Sequence, residues 1–172
     1  MEYQTSSSKR VATMAIMTAL AMMFSYIEAI LPFNIGIPGV KLGIANIVVI
    51  LALYILNEKA AVIISLIRIL LAGILFSGIF AALFGLGGAV LSLITMILLK
   101  KSNKFSIVGV SMAGGVAHNV GQLLIAIVIM GTSKIFLYFP ILLFSGMITG
   151  IIIGILAYYI KKTVVTELGR GV

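Results

Sequence analysis

Apolar runs long enough to cross a membrane, separated by short polar breaks, cover most of the 172-residue chain. About 20 consecutive apolar residues are enough to cross the hydrocarbon core of a bilayer. Lipid cannot hydrogen-bond the backbone, so spanning segments must be helices or the strands of a closed barrel, and the strands of a barrel are short and alternate in polarity. We therefore expect an all-α, polytopic membrane protein in which residues 1–172 form a single integral membrane domain.

The polar and turn-forming breaks predict six transmembrane helices. The first covers roughly residues 11–31 and the second, somewhat short, residues 42–56. Residues 60–99 carry one charge, on Arg68, and a single helix of that length would be about 60 Å long, twice the hydrocarbon thickness. We divide this run at "GILFSG", residues 73–78, where glycine and serine favour a turn. The fifth and sixth predicted spans are residues 106–130 and 135–160.

The basic residues predict the orientation of the bundle, because cytoplasmic loops carry an excess of lysine and arginine. With the N-terminus inside, only Lys41 and Lys134 lie on the outer side. The inner side then holds Lys9, Arg10, Lys59, Lys100, Lys101, Lys104, Lys161, Lys162 and Arg170. Both termini are thus expected in the cytoplasm, as tails 1–10 and 163–172, with the bundle in a bacterial plasma membrane. This topology accounts for most of the net charge of +8 without a nucleic-acid partner.

Polar side chains within the spans concentrate in the middle and the outer half of the predicted bundle. Ionisable groups at membrane depth are costly and are functional candidates by default. Their asymmetric depth predicts a pocket that opens to the outside and binds a small molecule. The predicted ligand-binding residues are Glu28, Lys41, Asn46, Arg68, His118, Asn119 and Gln122.

The fifth span contains the one histidine of the chain, in the segment "GGVAHNVGQLL". Helical spacing places Ser111, Gly114, His118 and Gln122 on one face, with Gly115 and Asn119 beside it. A neighbouring stripe of small residues favours close helix packing, and it consists of Ala113, Ala117 and Gly121.

Structural roles remain open for the same residues. Asn119 and Gln122 are also typical of interhelical hydrogen bonds in membranes. Arg68 and Glu28 could form an internal ion pair, Asn46 could cap or pair locally, and Lys41 could be an ordinary interfacial lysine.

Alanines in the first half of span one predict a flat helix surface. Ala15 and Ala19 lie one helical turn apart, as in small-xxx-small packing motifs. The helix that packs on them could belong to this chain or to another protein.

Several kinds of chemistry lack the residues they need. No G-x-x-x-x-G-K-S/T loop is present, so the chain has no recognisable means of using ATP. Cysteine and aspartate are absent, and one histidine and four glutamates supply no metal-ligand cluster. We therefore expect neither a catalytic role nor a metal or other cofactor.

Three segments carry a resemblance to a known family. "PGVKLGIANIVVILALY" (residues 38–54), "RILLAGILF" (68–76) and "SMAGGVAHNVGQLL" (111–124) resemble the signature segments of the Gx transporter family, also labelled heptaprenyl diphosphate synthase component I. The resemblance covers about residues 9–162. This family is similar to the S components of energy-coupling factor (ECF) transporters, six-helix membrane proteins that bind a vitamin or other small nutrient near the outer side.

The resemblance implies that some residues dock on a partner protein and others bind the ligand. Ala15 and Ala19 would dock on a transmembrane coupling protein that works with two ATPase subunits. Six polar residues would form the pocket or its frame: Lys41, Asn46, Arg68, His118, Asn119 and Gln122. The ligand would be a nutrient, a vitamin or a molecule like a prenyl or quinone precursor, and membrane lipid would surround the bundle.

The family label leaves two alternatives. Polyprenyl synthases hold magnesium and diphosphate with aspartate-rich motifs, because a hard cation prefers carboxylate oxygens. A chain without aspartate could at most be a non-catalytic accessory subunit of such a synthase. The second alternative is a membrane component of a flavin- and quinone-linked extracellular electron-transfer system, with a quinone-like ligand or a partner protein.

Overall fold

The computed structural model describes residues 7–30 and 43–170, and within them the side chains of residues 8–30 and 43–166. This part of the chain is helical and contains no strand. The α-helices are α1 (Ser7–Ile30), α2 (Asn46–Ile55), α3 (Glu58–Ala72), α4 (Ile79–Lys101), α5 (Ile107–Met130) and α6 (Phe139–Arg170). A π-helical turn, Gly73–Ser77, follows α3, and a 3-10 segment, Ser133–Tyr138, precedes α6.

The predicted all-α membrane fold is confirmed, with a qualification on the number of spans. Five of the described helical segments are long and apolar enough to cross a membrane. The exception is α2, whose ten residues extend about 15 Å, half the hydrocarbon thickness. The six-span count and the cytoplasmic position of both termini therefore stay predictions.

The break that we predicted in the long apolar run lies where the glycines are. Gly73 begins the π-helical turn, and Gly78, with φ of 82°, ends it before α4 starts. A residue with a side chain rarely adopts such a positive φ, so glycine is required at this position. Asn57 and Ser106 cap the next boundaries, because their side-chain oxygens accept hydrogen bonds from the amides of Ala60 and Gly109.

The core of the bundle surrounds α2. Residues 47–53 of this helix are all buried. A helix at the surface of a bundle would bury only one face, so α2 is enclosed on all sides over these residues. The largest fully enclosed side chains are Ile50, Leu53, Ile64 and Val110, contributed by α2, α3 and α5. The short helix thus contributes a large part of the hydrophobic core.

Glycines bring α5 against its two neighbours at backbone distance. A Cβ at Gly121 would collide with the carbonyl of Gly87 in α4, as we expected from the small stripe. A Cβ at Gly115 would collide with the carbonyl of Gly146 in α6. These two contacts hold α4 and α6 close to α5. The side chains of α5 between Gly115 and Gly121 therefore lie next to both neighbouring helices.

The polar stripe predicted on α5 is only partly correct. Ser111 is buried against Gly150 and Gly154 of α6. Gly114 packs on the side chain of Met96 in α4. Helical spacing identifies residues on one face but cannot determine where a neighbouring helix covers that face, and these two positions are covered.

Candidate functional site

A cavity of about 120 Å³ lies among the six helices. All the predicted ligand-binding residues that the structure describes line it, namely Glu28, Asn46, Arg68, His118, Asn119 and Gln122. Lys41 lies outside the described residues. The polar side chains that the sequence placed at similar depth are therefore brought together around one space.

The cavity lies near the middle of the bundle. Arg68 comes ten residues after the start of α3 at Glu58, which is about 15 Å along the helix. His118 is eleven residues from the start of α5 at Ile107, about 16 Å. Asn46 is the first residue of α2, so this helix begins at the cavity.

Arg68 joins three helices at the cavity wall. Its Nη1 donates to Oγ of the buried Ser25 in α1 at 3.2 Å, and its Nη2 donates to Oδ1 of Asn46 at 3.3 Å. Its Nε is buried and has no hydrogen-bond partner among the described residues. A buried donor without a partner is costly, so this nitrogen marks a position where an acceptor would be stabilised.

Glu28 makes a different contact from the ion pair considered above. Its Oε1 accepts a hydrogen bond from the amide of Ile44 at 2.9 Å. Ile44 lies in the turn before α2, next to Gly43, whose φ is 70°. Glu28 and Arg68 line the same cavity with opposite charges, but the hydrogen bonds described for them go to other groups.

The ring of His118 lies against the backbone of α4. A Cβ at Gly88 would stand 2.8 to 2.9 Å from three atoms of this ring, closer than a real Cβ tolerates. Gly88 therefore provides the space that the imidazole occupies beside the cavity. The sequence prediction missed this glycine, because "GLGG" in an apolar span indicates helix packing in general and not a particular partner.

Asn119 and Gln122 differ in their contacts. Nδ2 of Asn119 donates to the carbonyl of Leu142 in α6 at 2.7 Å, an interhelical hydrogen bond of the structural kind that we left open. Gln122 makes no hydrogen bond with another described residue, although it lines the cavity. Of the two amides, Gln122 is thus the one whose hydrogen-bonding groups are available to a ligand.

The sequence prediction also missed polar residues of the wall. Ser25, Ser77 and Thr149 line the cavity, and Ser25 holds Arg68. Ser25 lies three residues before Glu28, so helical spacing could have placed both on one face of α1. Ser77 belongs to the π-helical turn, a feature that is frequent at functional sites.

The alanine surface of α1 lies on the outside of the bundle. Ala15 and Ala19 are exposed, whereas Ala21 is completely buried in the core. No described part of this chain therefore covers the two alanines, and packing within this part of the chain does not explain them.

The side chains and the volume of the cavity limit what it can hold. No group of three or more histidine, aspartate or glutamate side chains that could hold a metal ion occurs among the described residues. The volume is below the roughly 300–1,000 Å³ of ordinary small-molecule pockets. In this conformation the cavity could enclose only a group of a few heavy atoms.

Comparison with known proteins gives one match. A family model described as heptaprenyl diphosphate synthase component I matches residues 17–160. Comparison with curated proteins and with solved structures gave no match. The matched range includes every described residue that lines the cavity.

Proposed function

The chain belongs to the heptaprenyl diphosphate synthase component I family, and we propose that it is a membrane subunit that binds a small molecule, similar to the S component of an ECF transporter. It performs no chemistry on the ligand. The observation that carries this function is the convergence of Glu28, Asn46, Arg68, His118, Asn119 and Gln122 on one cavity of an otherwise apolar bundle.

The cavity favours a ligand with an anionic or carbonyl-rich group. Arg68 is a cation at membrane depth whose hydrogen-bond partners, Ser25 and Asn46, are neutral, and the carboxylate of Glu28 interacts with it through space without an ion-pair contact. Its buried Nε has a proton to donate. A ligand oxygen that reaches the guanidinium would accept a hydrogen bond from it and offset the cost of burying the charge. His118 and Gln122 would orient the rest of the polar group, with apolar walls around the ligand body.

The present volume restricts how such a ligand enters. A vitamin-sized molecule is larger than a 120 Å³ cavity. The helices must therefore separate around Arg68 for such a molecule to bind.

Transport would require other subunits, because the chain contains no ATP-binding loop. We assign the exposed Ala15 and Ala19 on α1 to docking on a transmembrane coupling protein, which in turn works with two ATPases. Small side chains allow a partner helix to approach closely, and their exposure leaves this surface available.

A second candidate function follows from the family description. The chain could be a non-catalytic membrane subunit that assists a polyprenyl diphosphate synthase. In this case the polar cavity would stabilise the bundle, and the function would depend on contact with the synthase. A heptaprenyl chain is too long for the cavity, so this alternative does not use the central site.

Native mass spectrometry of gently purified protein separates the two functions. We expect a bound small molecule in the wild type and in Lys134→Gln, a control on the 3-10 segment away from the cavity, and its loss in Arg68→Gln. A ligand that persists in Arg68→Gln would contradict the proposed site. Absence of any ligand, together with co-purification of a prenyl synthase whose activity rises with this subunit, would support the accessory function instead.

A further inference from the structure

A second group of polar contacts lies at the other end of α2, away from the cavity. Asn46 lines the cavity, and Tyr54 lies eight residues later in the same helix, about 12 Å away. Here the last turn of α2, the start of α3, the end of α4 and residue 161 of α6 meet. This end of the bundle is therefore separate from the proposed ligand cavity, and its contacts do not depend on the function of that cavity.

Two lysines from different helices face one aromatic ring. Nζ of Lys100 in α4 lies 5.7 Å from the centroid of the Tyr54 ring, and Nζ of Lys161 in α6 lies 5.0 Å from it. Both distances are within the range in which a cation is attracted to an aromatic face. Both ammonium groups therefore lie beside the same aromatic ring.

Lys100 is fixed in this position by the backbone. Its Nζ donates to the carbonyl of Leu53 at 2.7 Å. Leu53 lies in the last turn of α2, where carbonyls lack an amide partner within the helix. The ammonium therefore completes the helix end and is half-buried among the helices, so it cannot move away from Lys161 as a surface lysine could.

The nearby acid does not neutralise this pair. The carboxylate of Glu58 forms an ion pair with Nζ of Lys101 at 3.4 Å. Lys101 is the residue after Lys100 in α4. Among the described side chains of residues 53–59, 100–104 and 159–166, Glu58 is the one carboxylate, against six lysines. Among the described residues, neither Lys100 nor Lys161 forms an ion pair with a carboxylate.

We propose that Lys100, Lys161 and Tyr54 form a binding site for an anionic phosphate group. Lysine ammonium groups bind phosphate as point charges, and basic pockets between transmembrane helices bind the headgroups of anionic lipids. A phosphate group that reaches both ammonium groups would be held by two positive charges. The site lies at the end of the bundle with the excess of basic residues, where a lipid headgroup or a free phosphate compound can reach it.

Lys161→Gln tests the site, and Lys162→Gln is its matched control. Lys162 is the next residue in α6 and is exposed, and the lysines beside the Tyr54 ring are Lys100 and Lys161 instead. The full chain is purified in neutral detergent, and lipid binding is titrated by native mass spectrometry with phosphatidylglycerol and with phosphatidylcholine. Inorganic diphosphate is titrated separately against thermal unfolding of the protein in phosphatidylcholine nanodiscs.

We expect wild-type protein to prefer phosphatidylglycerol over phosphatidylcholine, and Lys161→Gln to weaken this binding about fivefold, the usual effect of one lysine near an anionic lipid surface. Lys162→Gln should weaken it less than twofold, and Lys161→Arg should retain it. Stabilisation by diphosphate that disappears in Lys161→Gln alone would also support the site and identify a free phosphate compound as its ligand. Equal losses in the two glutamine variants, or no Lys161-dependent binding of either probe, would overturn it.

Discussion

Nη2 of Arg68 lies 3.3 Å from Oδ1 of Asn46, so the cation of α3 is bonded to the first residue of α2. Asn46 lines the cavity, and the buried residues of α2 follow it directly in the chain. This bond therefore lies where the cavity meets the hydrophobic core. The same arginine also bonds to Ser25 of α1. One charged side chain therefore both joins three helices and lines the cavity.

Asn46→Ala should destabilise the protein by about 1–3 kcal/mol, because it leaves a second donor of the buried guanidinium without a partner. Thermal unfolding in detergent measures the change. Thr13→Ala is the control, since its hydroxyl bonds to the carbonyl of Lys9 on the exposed surface of α1. Equal stability of Asn46→Ala and wild type would show that the Arg68–Asn46 bond does not hold these helices.

The two amides of α5 should separate stability from binding. Asn119→Leu loses the bond to the carbonyl of Leu142 and should cost about 0.6–1.7 kcal/mol, the range for hydrogen bonds between membrane helices. Gln122→Leu loses no bond to a described residue and should leave the unfolding temperature nearly unchanged while reducing ligand retention about tenfold. The reverse pattern, with Gln122→Leu destabilised and ligand binding intact, would identify Gln122 as a structural residue.

Gly88→Ala should displace the ring of His118, because the added Cβ would lie within 2.9 Å of it. We expect a destabilisation of about 1–3 kcal/mol, as for other overpacked positions, together with weaker ligand binding. Gly109→Ala is the control, since its Cβ would meet its nearest neighbour at 3.7 Å.

A double-mutant cycle attributes this effect to the histidine. His118→Ala removes the ring, so Gly88→Ala should cost little stability in that background. Additive losses in the double variant would mean that Gly88 acts through other contacts.

Ala15→Trp should abolish association with a coupling subunit and leave ligand binding intact, because the indole fills the flat surface of α1 without touching the cavity. Ile16→Trp, at the next exposed position of the helix, should have a much smaller effect. Pull-down of the coupling subunit and native mass spectrometry of the ligand measure the two properties. Undiminished association of Ala15→Trp would remove the docking role of this surface.

The sequence by itself determined the fold class and most of the polar positions. Long apolar runs require helices in lipid, and glycines at 73 and 78 mark the break between α3 and α4, because both constraints act within a local segment. The depth of Arg68, His118 and Gln122 along their helices also follows from a fixed rise per residue. These properties place the three residues at a similar level of the bundle before any contact is known.

Only the tertiary structure decided which groups meet. The bonds of Arg68 join residues 22 and 43 positions apart, and that of Asn119 spans 23 positions. Gly88 makes room for His118, and Ser111 is covered by α6. The spacing of residues along α5 does not indicate which of its faces a neighbouring helix covers. The ten-residue length of α2 and the meeting of Lys100 with Lys161 at Tyr54 were likewise not predicted. The helical repeat determines the direction in which each side chain points from the helix axis. Which residue it meets in that direction depends on how all the helices pack together.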